Sequence, residues 1–150
     1  MRKPTHDERI RSEIETFKGQ VNIHDLPDIF HYWSNKFLGP YLAETFGTPN
    51  HYQIFAAELI ASLKATVSPK IVSVGAGDGS VEIEVAKIMR AEGAEDFRFE
   101  CLELSPHLIQ RGLQAAHEAG VSKHVTFEQI DLNTWKPTRQ FGAAFAHHSL

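Results

Sequence analysis

A glycine-rich pentapeptide is the part of this sequence whose composition best suits ligand binding. Gly75-Ala76-Gly77-Asp78-Gly79 follows a short apolar run and precedes a segment with helical spacing. Glycine adopts the unusual φ angles of a tight strand-to-helix turn, and its missing side chain lets a ligand approach the backbone closely. The following helix presents free N–H groups at its N-terminus. The pattern predicts binding at Gly75, Ala76, Gly77 and Gly79, with a turn that binds nothing as the alternative.

The spacing of these glycines argues against two common phosphate sites. The dinucleotide fingerprint is G-x-G-x-x-G, and Ser80 stands where its third glycine would be. The loop also has no Lys followed by Ser or Thr, so it is not a P-loop. The pattern is therefore G-x-G-x-G.

Two acidic residues end neighbouring predicted strands. Glu103 ends the second strand and Asp131 the third, and Leu104 and Leu132 follow them directly. Because open α/β sheets bind ligands outside the carboxyl ends of their strands, we expect these residues to lie near the glycine loop. For an adenine nucleoside as the ligand, Glu103 is placed to accept hydrogen bonds from both ribose hydroxyls, and Asp131 is placed to accept one from the exocyclic amine of adenine. Leu104 and Leu132 are placed to hold the flat base between them. Each acid alone is also typical of a helix N-cap or a solvated loop.

Alternating short strands and helices position these residues. Strands are predicted at 71–74, 97–102, 124–130 and 141–146, and the segments between them have helical apolar spacing. This order predicts an α/β fold with parallel strands flanked by helices.

The character of the sequence changes near Pro69, which predicts two regions. Residues 1–68 are expected to form an N-terminal helical region that acts as a lid or cover. Residues 69–150 are expected to form the first half of the sheet domain. Since a parallel sheet needs both faces covered, we expect the chain to be the N-terminal part of a longer protein or a truncated product.

Several local signals divide the N-terminal region. Thr5 and Glu8 have the spacing of a capping box, and Gly39-Pro40 predicts a helix break. Five aromatic residues lie close together, and such spacing is more typical of helix packing in a core than of a lid over a bound cation. These residues are Phe30, Tyr32, Trp33, Phe37 and Tyr41.

Composition limits the function classes. The chain has 150 residues, with 15 basic and 19 acidic side chains and a formal charge of −4, so nucleic acid is not an expected partner. No apolar run approaches the ~18–20 residues that cross a bilayer, and no membrane partner is expected. The single cysteine, Cys101, favours a cytoplasmic location. No metal site is expected, because the histidines are scattered.

Together these residues resemble class I S-adenosylmethionine-dependent methyltransferases over about half of the chain, from Pro69 to Leu150. Residues 71–79 (IVSVGAGDG) are similar to the first motif of that family, and residues 141–150 to its fourth-strand motif. Glu103 matches the ribose-binding acid and Asp131 the adenine-side acid.

The resemblance implies a Rossmann-like open sheet of order 3-2-1-4 and S-adenosyl-L-methionine as the cofactor. It implies that the glycine loop packs against the methionine part of that cofactor, and that the methyl group moves by in-line displacement. The family often has an acid where this chain has Ser73, so another group or a water would have to compensate. The later strands of the family are missing, which predicts self-association through an exposed sheet edge.

Two histidines, His147 and His148, end the fourth predicted strand. The chain lacks an Asn-Pro-Pro-Tyr-like motif there and resembles the branch that acts on small molecules, which implies a small-molecule acceptor. Because neighbouring strand residues point to opposite faces, we expect His147 to contact the cofactor, and His148 is a candidate general base. Packing or capping is the alternative for both.

Two other functions fit the sequence. One is a nicotinamide-dependent oxidoreductase with an irregular glycine loop. The other is a non-catalytic module that binds a cofactor or acts as a scaffold. Titration with each cofactor separates the first of these from a methyltransferase.

Overall fold

Parallel strands that meet at one edge form the centre of the computed structural model, which describes residues 3–18 and 27–147. The strands are β1 (Lys70–Val74), β2 (Arg98–Glu103), β3 (Val125–Gln129) and β4 (Ala143–Phe145). Their order is β3-β2-β1-β4, and every neighbouring pair is parallel. The predicted Rossmann-like order 3-2-1-4 is confirmed.

Helices flank this sheet and precede it. They are α1 (His6–Lys18), α2 (Asp28–Trp33), α3 (Gly39–Phe46), α4 (His51–Lys64), α5 (Ser80–Ala91) and α6 (Pro106–Glu118). Helix α5 packs against both α4 and α6, and α1 packs against α6. None of the helices within these described ranges is long and apolar enough to span a membrane.

The core forms where the central strands meet the helices. Ile71 of β1 and Phe99 of β2 are fully buried, as are Val85 and Met89 of α5. Burying each such side chain contributes about 1.5–3 kcal/mol. The near-continuous burial of β1 and β2 is expected for parallel strands inside a layered fold.

The strand register brings the carboxyl ends of the strands to one edge. Ser73 lies beside Phe145 on one side, and Val74 lies beside Leu102 across the β1–β2 pair. Glu103 in turn lies beside Gln129. The residues that follow each strand are therefore neighbours in space, although they are far apart in sequence.

The N-terminal helices confirm one local prediction and correct another. The Thr5 N–H donates to Glu8 Oε2 at 2.7 Å and the Glu8 N–H to Thr5 Oγ1 at 3.3 Å, which is the predicted capping box. The predicted break at Gly39-Pro40 is wrong, because α2 continues through a π-helical turn into α3. In that turn the Gly39 N–H donates to the Ser34 carbonyl five residues back, and the wider turn accommodates the proline ring.

Residues 28–46, here named the aromatic segment, bury none of their side chains. The five aromatic residues singled out in the sequence are 50–58% exposed. Their interpretation as core packing is wrong. The apolar surface of this segment instead faces solvent and the cavity described below.

Candidate functional site

The glycine loop connects β1 to α5 through residues with left-handed backbone angles. The φ angles of Gly75 and Gly77 are 65° and 61°, a region that strains residues with a side chain. The N–H groups of Gly75 and Ala76 both donate to the Leu102 carbonyl, at 2.9 and 3.2 Å. The loop is therefore held against the end of β2.

Glu103 binds this loop through its side chain. Glu103 Oε2 accepts from the Gly77 N–H at 2.8 Å, and Oε1 accepts from the N–H groups of Leu104 and Ser105, both at 2.8 Å. A carboxylate offers about four acceptor sites, so about one remains, on Oε2. That site is open to a ligand hydroxyl, and the predicted contacts of Glu103 with two ribose hydroxyls stay a prediction.

Asp131 lies beyond the end of β3 and is held by two partners. Its Oδ1 accepts from the N–H and the side-chain amide of Asn133, both at 2.9 Å. Its Oδ2 lies 2.6 Å from His6 Nε2 in α1. Hydrogen bonds from the side chain and backbone of Asn133, and then from His6, hold the pKa of Asp131 below its ordinary value of 3.8. The acid is therefore ionised at neutral pH.

These loops surround an open cavity of about 1420 Å³ at the carboxyl edge of the sheet. Most of the binding residues predicted from the sequence line it, namely Gly75, Ala76, Gly77, Glu103, Leu104, Asp131, Leu132 and His147. The aromatic segment contributes Phe30 and Trp33 to the wall, and α4 contributes Tyr52 and Phe55. The structure thus brings these predicted positions together, while their contacts with a ligand stay predictions.

Gly79 is the predicted binding residue that does not line the cavity. A Cβ atom built on Gly79 would lie 2.5 Å from Phe127 Cζ of β3. Gly112 of α6 faces the same ring, where its Cβ would lie 2.4 Å from Cζ. Both glycines therefore allow close packing of α5 and α6 over β3.

His147 lies against α4 on the other side of the cavity. Its ring stacks on His51, with centroids 6.1 Å apart and planes 7° apart, and meets the edge of Phe55 at 5.9 Å. His148 lies outside the described residues, so its suggested role as a base stays a prediction.

Sequence reasoning missed Glu82 and His6. Glu82 lines the cavity although it is an acid buried in the first turn of α5. It shares one helical face with the apolar residues Val85, Ala86 and Met89, and a charged residue in such a stripe was a signal available in the sequence. His6 offered no local signal, because its partner is 125 residues away.

The charges on the cavity wall are mostly negative. The wall includes the carboxyl groups of Glu13, Glu82, Glu103 and Asp131, and no Lys or Arg of the described residues lines it. Within residues 3–18 and 27–147, no three His, Cys, Asp or Glu side chains are grouped to hold a metal ion. A cleft lined by one sign of charge attracts the opposite sign, so the wall favours a cationic ligand.

Comparison with solved structures finds the same fold in other proteins. A methyltransferase from Geobacter sulfurreducens in complex with S-adenosyl-L-homocysteine matches with a TM-score of 0.50 and 19% identity, over 83% of this chain and 45% of that one. A putative sarcosine dimethylglycine methyltransferase from Galdieria sulphuraria matches with a TM-score of 0.51 and 14% identity, over 81% and 47%. An uncharacterised protein from Burkholderia thailandensis matches with a TM-score of 0.54 and 14% identity, over 97% and 41%. No protein-family model matches the sequence, and no curated protein matches it significantly.

The chain spans less than half the length of these three structures. At such low identity the likeness concerns the fold, and the activity has to be argued from the site. The parallel sheet of order β3-β2-β1-β4, with its flanking helices, agrees with that likeness. The chain therefore has the Rossmann-like fold of class I S-adenosylmethionine-dependent methyltransferases.

Proposed function

We propose that the chain binds S-adenosylmethionine and that the protein transfers its methyl group to a small-molecule acceptor. The observation that carries the proposal is the cavity, where a glycine loop meets Glu103 and Asp131. S-adenosylmethionine has a sulfonium and an ammonium against one carboxylate, so its net charge is positive. That charge suits a wall on which the described residues place carboxylates and no Lys or Arg.

The start of α5 argues against the nicotinamide alternative. A dinucleotide places its pyrophosphate at the N-terminus of the helix that follows the glycine loop. Here the Ser80 N–H at that N-terminus donates to Asp78 Oδ1 at 3.2 Å. An acidic side chain thus occupies a donor that the pyrophosphate would need.

Each strand end would contribute one part of the cofactor site. We infer that Asp131 accepts a hydrogen bond from the exocyclic amine of adenine and that Oε2 of Glu103 accepts one from a ribose hydroxyl. Leu104 and Leu132 pack against the base. The backbone from Gly75 to Gly77 leaves room for the methionine part.

The cofactor, when bound, supplies a methyl group already activated on a positively charged sulfur. The protein has to align the acceptor with that carbon and exclude water, and such alignment contributes about 7–11 kcal/mol in well-oriented reactions. A base is required only where the acceptor must lose a proton, which is the role proposed for His148.

The cytoplasmic location and self-association through the edge at β4 are further proposals from the sequence.

Isothermal titration calorimetry tests the proposal. S-adenosylhomocysteine should bind and NADH should not. Asp131→Ala should weaken binding of S-adenosylhomocysteine about tenfold, because the adenine amine loses its acceptor. Asp96→Ala is the matched control, since Asp96 lies before β2, at the opposite edge of the sheet. Binding of NADH alone would refute the proposal, and unchanged affinity in Asp131→Ala would remove that residue from the site.

A further inference from the structure

Glu82 is a buried acid to which the proposed function gives no role. Its side chain is 2% exposed, and Ser73 Oγ donates a hydrogen bond to its Oε1. Its Oε2 is buried and has no hydrogen-bond partner among the described residues. A buried carboxylate oxygen without a donor is costly. The open acceptor therefore indicates a place for a donor that a ligand brings.

The sheet order places Glu82 at a defined end of the cavity. Asp131 follows β3, Glu103 ends β2, and Glu82 lies against β1 through Ser73. Glu82 lines the wall together with Gly75 and the other loop residues. A nucleoside with its base at Asp131 and its ribose at Glu103 therefore directs its remaining substituent towards the glycine loop and Glu82.

On the basis of the proposed function, we infer that Glu82 binds the ammonium group of the cofactor's amino-acid part. Ser73 holds the carboxyl group of Glu82 in position. An ammonium group has three N–H donors and can satisfy Oε2. The described residues bring no Lys or Arg to the cavity wall that would compete for it. The chain has Ser73 in β1 where the similar family often has an acid. Glu82, in the first turn of α5, would supply that negative charge instead.

The surroundings of Glu82 support a cation as the missing partner. Burial raises the pKa of Glu82 to about 7, the Ser73 hydrogen bond opposes this rise, and the nearby charge of Asp78 adds to it. Cys101 of β2 also faces Glu82, and its thiol stays neutral because burial raises its pKa. None of these groups is a cation. A bound ammonium would therefore favour the ionised carboxylate and release a proton.

Two nucleosides that differ in the amino-acid part test this inference by calorimetry. S-adenosylhomocysteine has the ammonium group, whereas methylthioadenosine has the same nucleoside thioether without it. Glu82→Gln keeps an oxygen that can accept from Ser73. This variant should bind S-adenosylhomocysteine about tenfold or more weakly than the wild type does, and its affinity for methylthioadenosine should stay within about twofold of the wild-type value. Glu84→Gln is the matched control, since Glu84 lies on the same helix, is exposed and pairs with Lys87 at 2.7 Å.

Proton release gives a second readout. At pH 6 the carboxyl group of ligand-free Glu82 is mostly protonated and the ligand's amino group is charged. Binding of S-adenosylhomocysteine to the wild-type chain should release close to one proton, measured in buffers of different ionisation enthalpy. Binding of methylthioadenosine to the wild-type chain should release no proton. Binding of either ligand to Glu82→Gln should release none.

The outcomes separate this inference from the proposed function. Equal weakening of the binding of both nucleosides by Glu82→Gln, or unchanged binding of S-adenosylhomocysteine, would overturn the assignment to Glu82 and leave the cofactor proposal standing. If the wild-type chain binds neither nucleoside, both fail.

Discussion

Two buried acids, Glu82 and Glu100, have pKa values that shift in opposite directions because of their partners. Burial raises the pKa of Glu82 to about 7, opposed mainly by a hydroxyl group. Burial acts on Glu100 in the same direction. However, hydrogen bonds from Lys70 and Arg139 outweigh it, and the pKa of Glu100 lies below its ordinary value of 4.5. Glu100 is therefore neutralised by cations of its own chain, whereas Glu82 has its open acceptor available for a ligand.

The raised pKa of Glu82 predicts a dependence of stability on pH. In the unfolded chain this group titrates near its ordinary value of 4.5, so between pH 4.5 and 7 the folded chain binds more protons. The free energy of unfolding should therefore fall as pH rises through that window, by up to roughly 3 kcal/mol from this residue. Urea unfolding at several pH values should show Glu82→Gln gaining stability over the wild type towards pH 8, with Glu84→Gln unchanged. A constant difference between Glu82→Gln and wild type across pH would contradict this.

The sequence predicted the positions of Glu103 and Asp131 because both follow strands that are recognisable locally. It did not predict how their acceptor sites are used. Glu103 accepts three N–H groups and Asp131 pairs with His6, since each contact depends on the approach of another element. Burial decides the chemistry of Glu82 in the same way, and the sequence indicates that burial only through the apolar stripe around it.

Among the elements, α6 lies next to the site and contributes Leu108 to the cavity wall. A Cβ atom on Gly112 would lie 2.4 Å from Phe127 Cζ and 2.7 Å from the backbone oxygen of Asp78 in the glycine loop. The backbone oxygen cannot rotate away as a flexible side chain could. The glycine at position 112 therefore sets the distance between α6 and the loop.

Gly112→Ala should destabilise the fold by about 1–3 kcal/mol and weaken binding of S-adenosylhomocysteine, because overpacking displaces the loop. Urea unfolding and calorimetry measure the two effects. Gly39→Ala is the control for stability alone, because its Cβ would meet its nearest atom, the Ser34 oxygen, at an ordinary 3.4 Å, whereas Gly39 itself lines the cavity. Wild-type stability and affinity in Gly112→Ala would show that α6 does not constrain the loop.

Strand prediction succeeded because apolar runs bounded by turn residues mark buried parallel strands, as in residues 71–74. The helix break at Gly39-Pro40 failed for a physical reason. Proline removes one donor and adds one clash, and a π-helical turn accommodates both without ending the helix. Such a turn depends on a change of hydrogen-bond register that residue types alone do not specify.

At the scale of the whole molecule, the N-terminal region reaches the site through α1, the aromatic segment and α4. His6 of α1 contacts Asp131, and the aromatic segment places Phe30 and Trp33 on the cavity wall. Segments with few buried side chains open at low free-energy cost, and the aromatic segment buries none. A ligand that fills the cavity would contact the apolar side chains of this segment that line it, Phe30 and Trp33.

We therefore predict that S-adenosylmethionine slows amide hydrogen exchange in residues 28–46 as well as in the glycine loop. A ligand held between the sheet edge and this segment stabilises its closed form by mass action, about 3 kcal/mol at a hundredfold excess over Kd if opening releases the ligand. Trp33→Ala should reduce the protection of residues 28–46, because Trp33 lines the cavity. Tyr41→Ala should not, since Tyr41 is 58% exposed and is absent from the described lining. Protection confined to the glycine loop and the strand ends would mean that the ligand binds on the sheet edge without the aromatic segment as a cover.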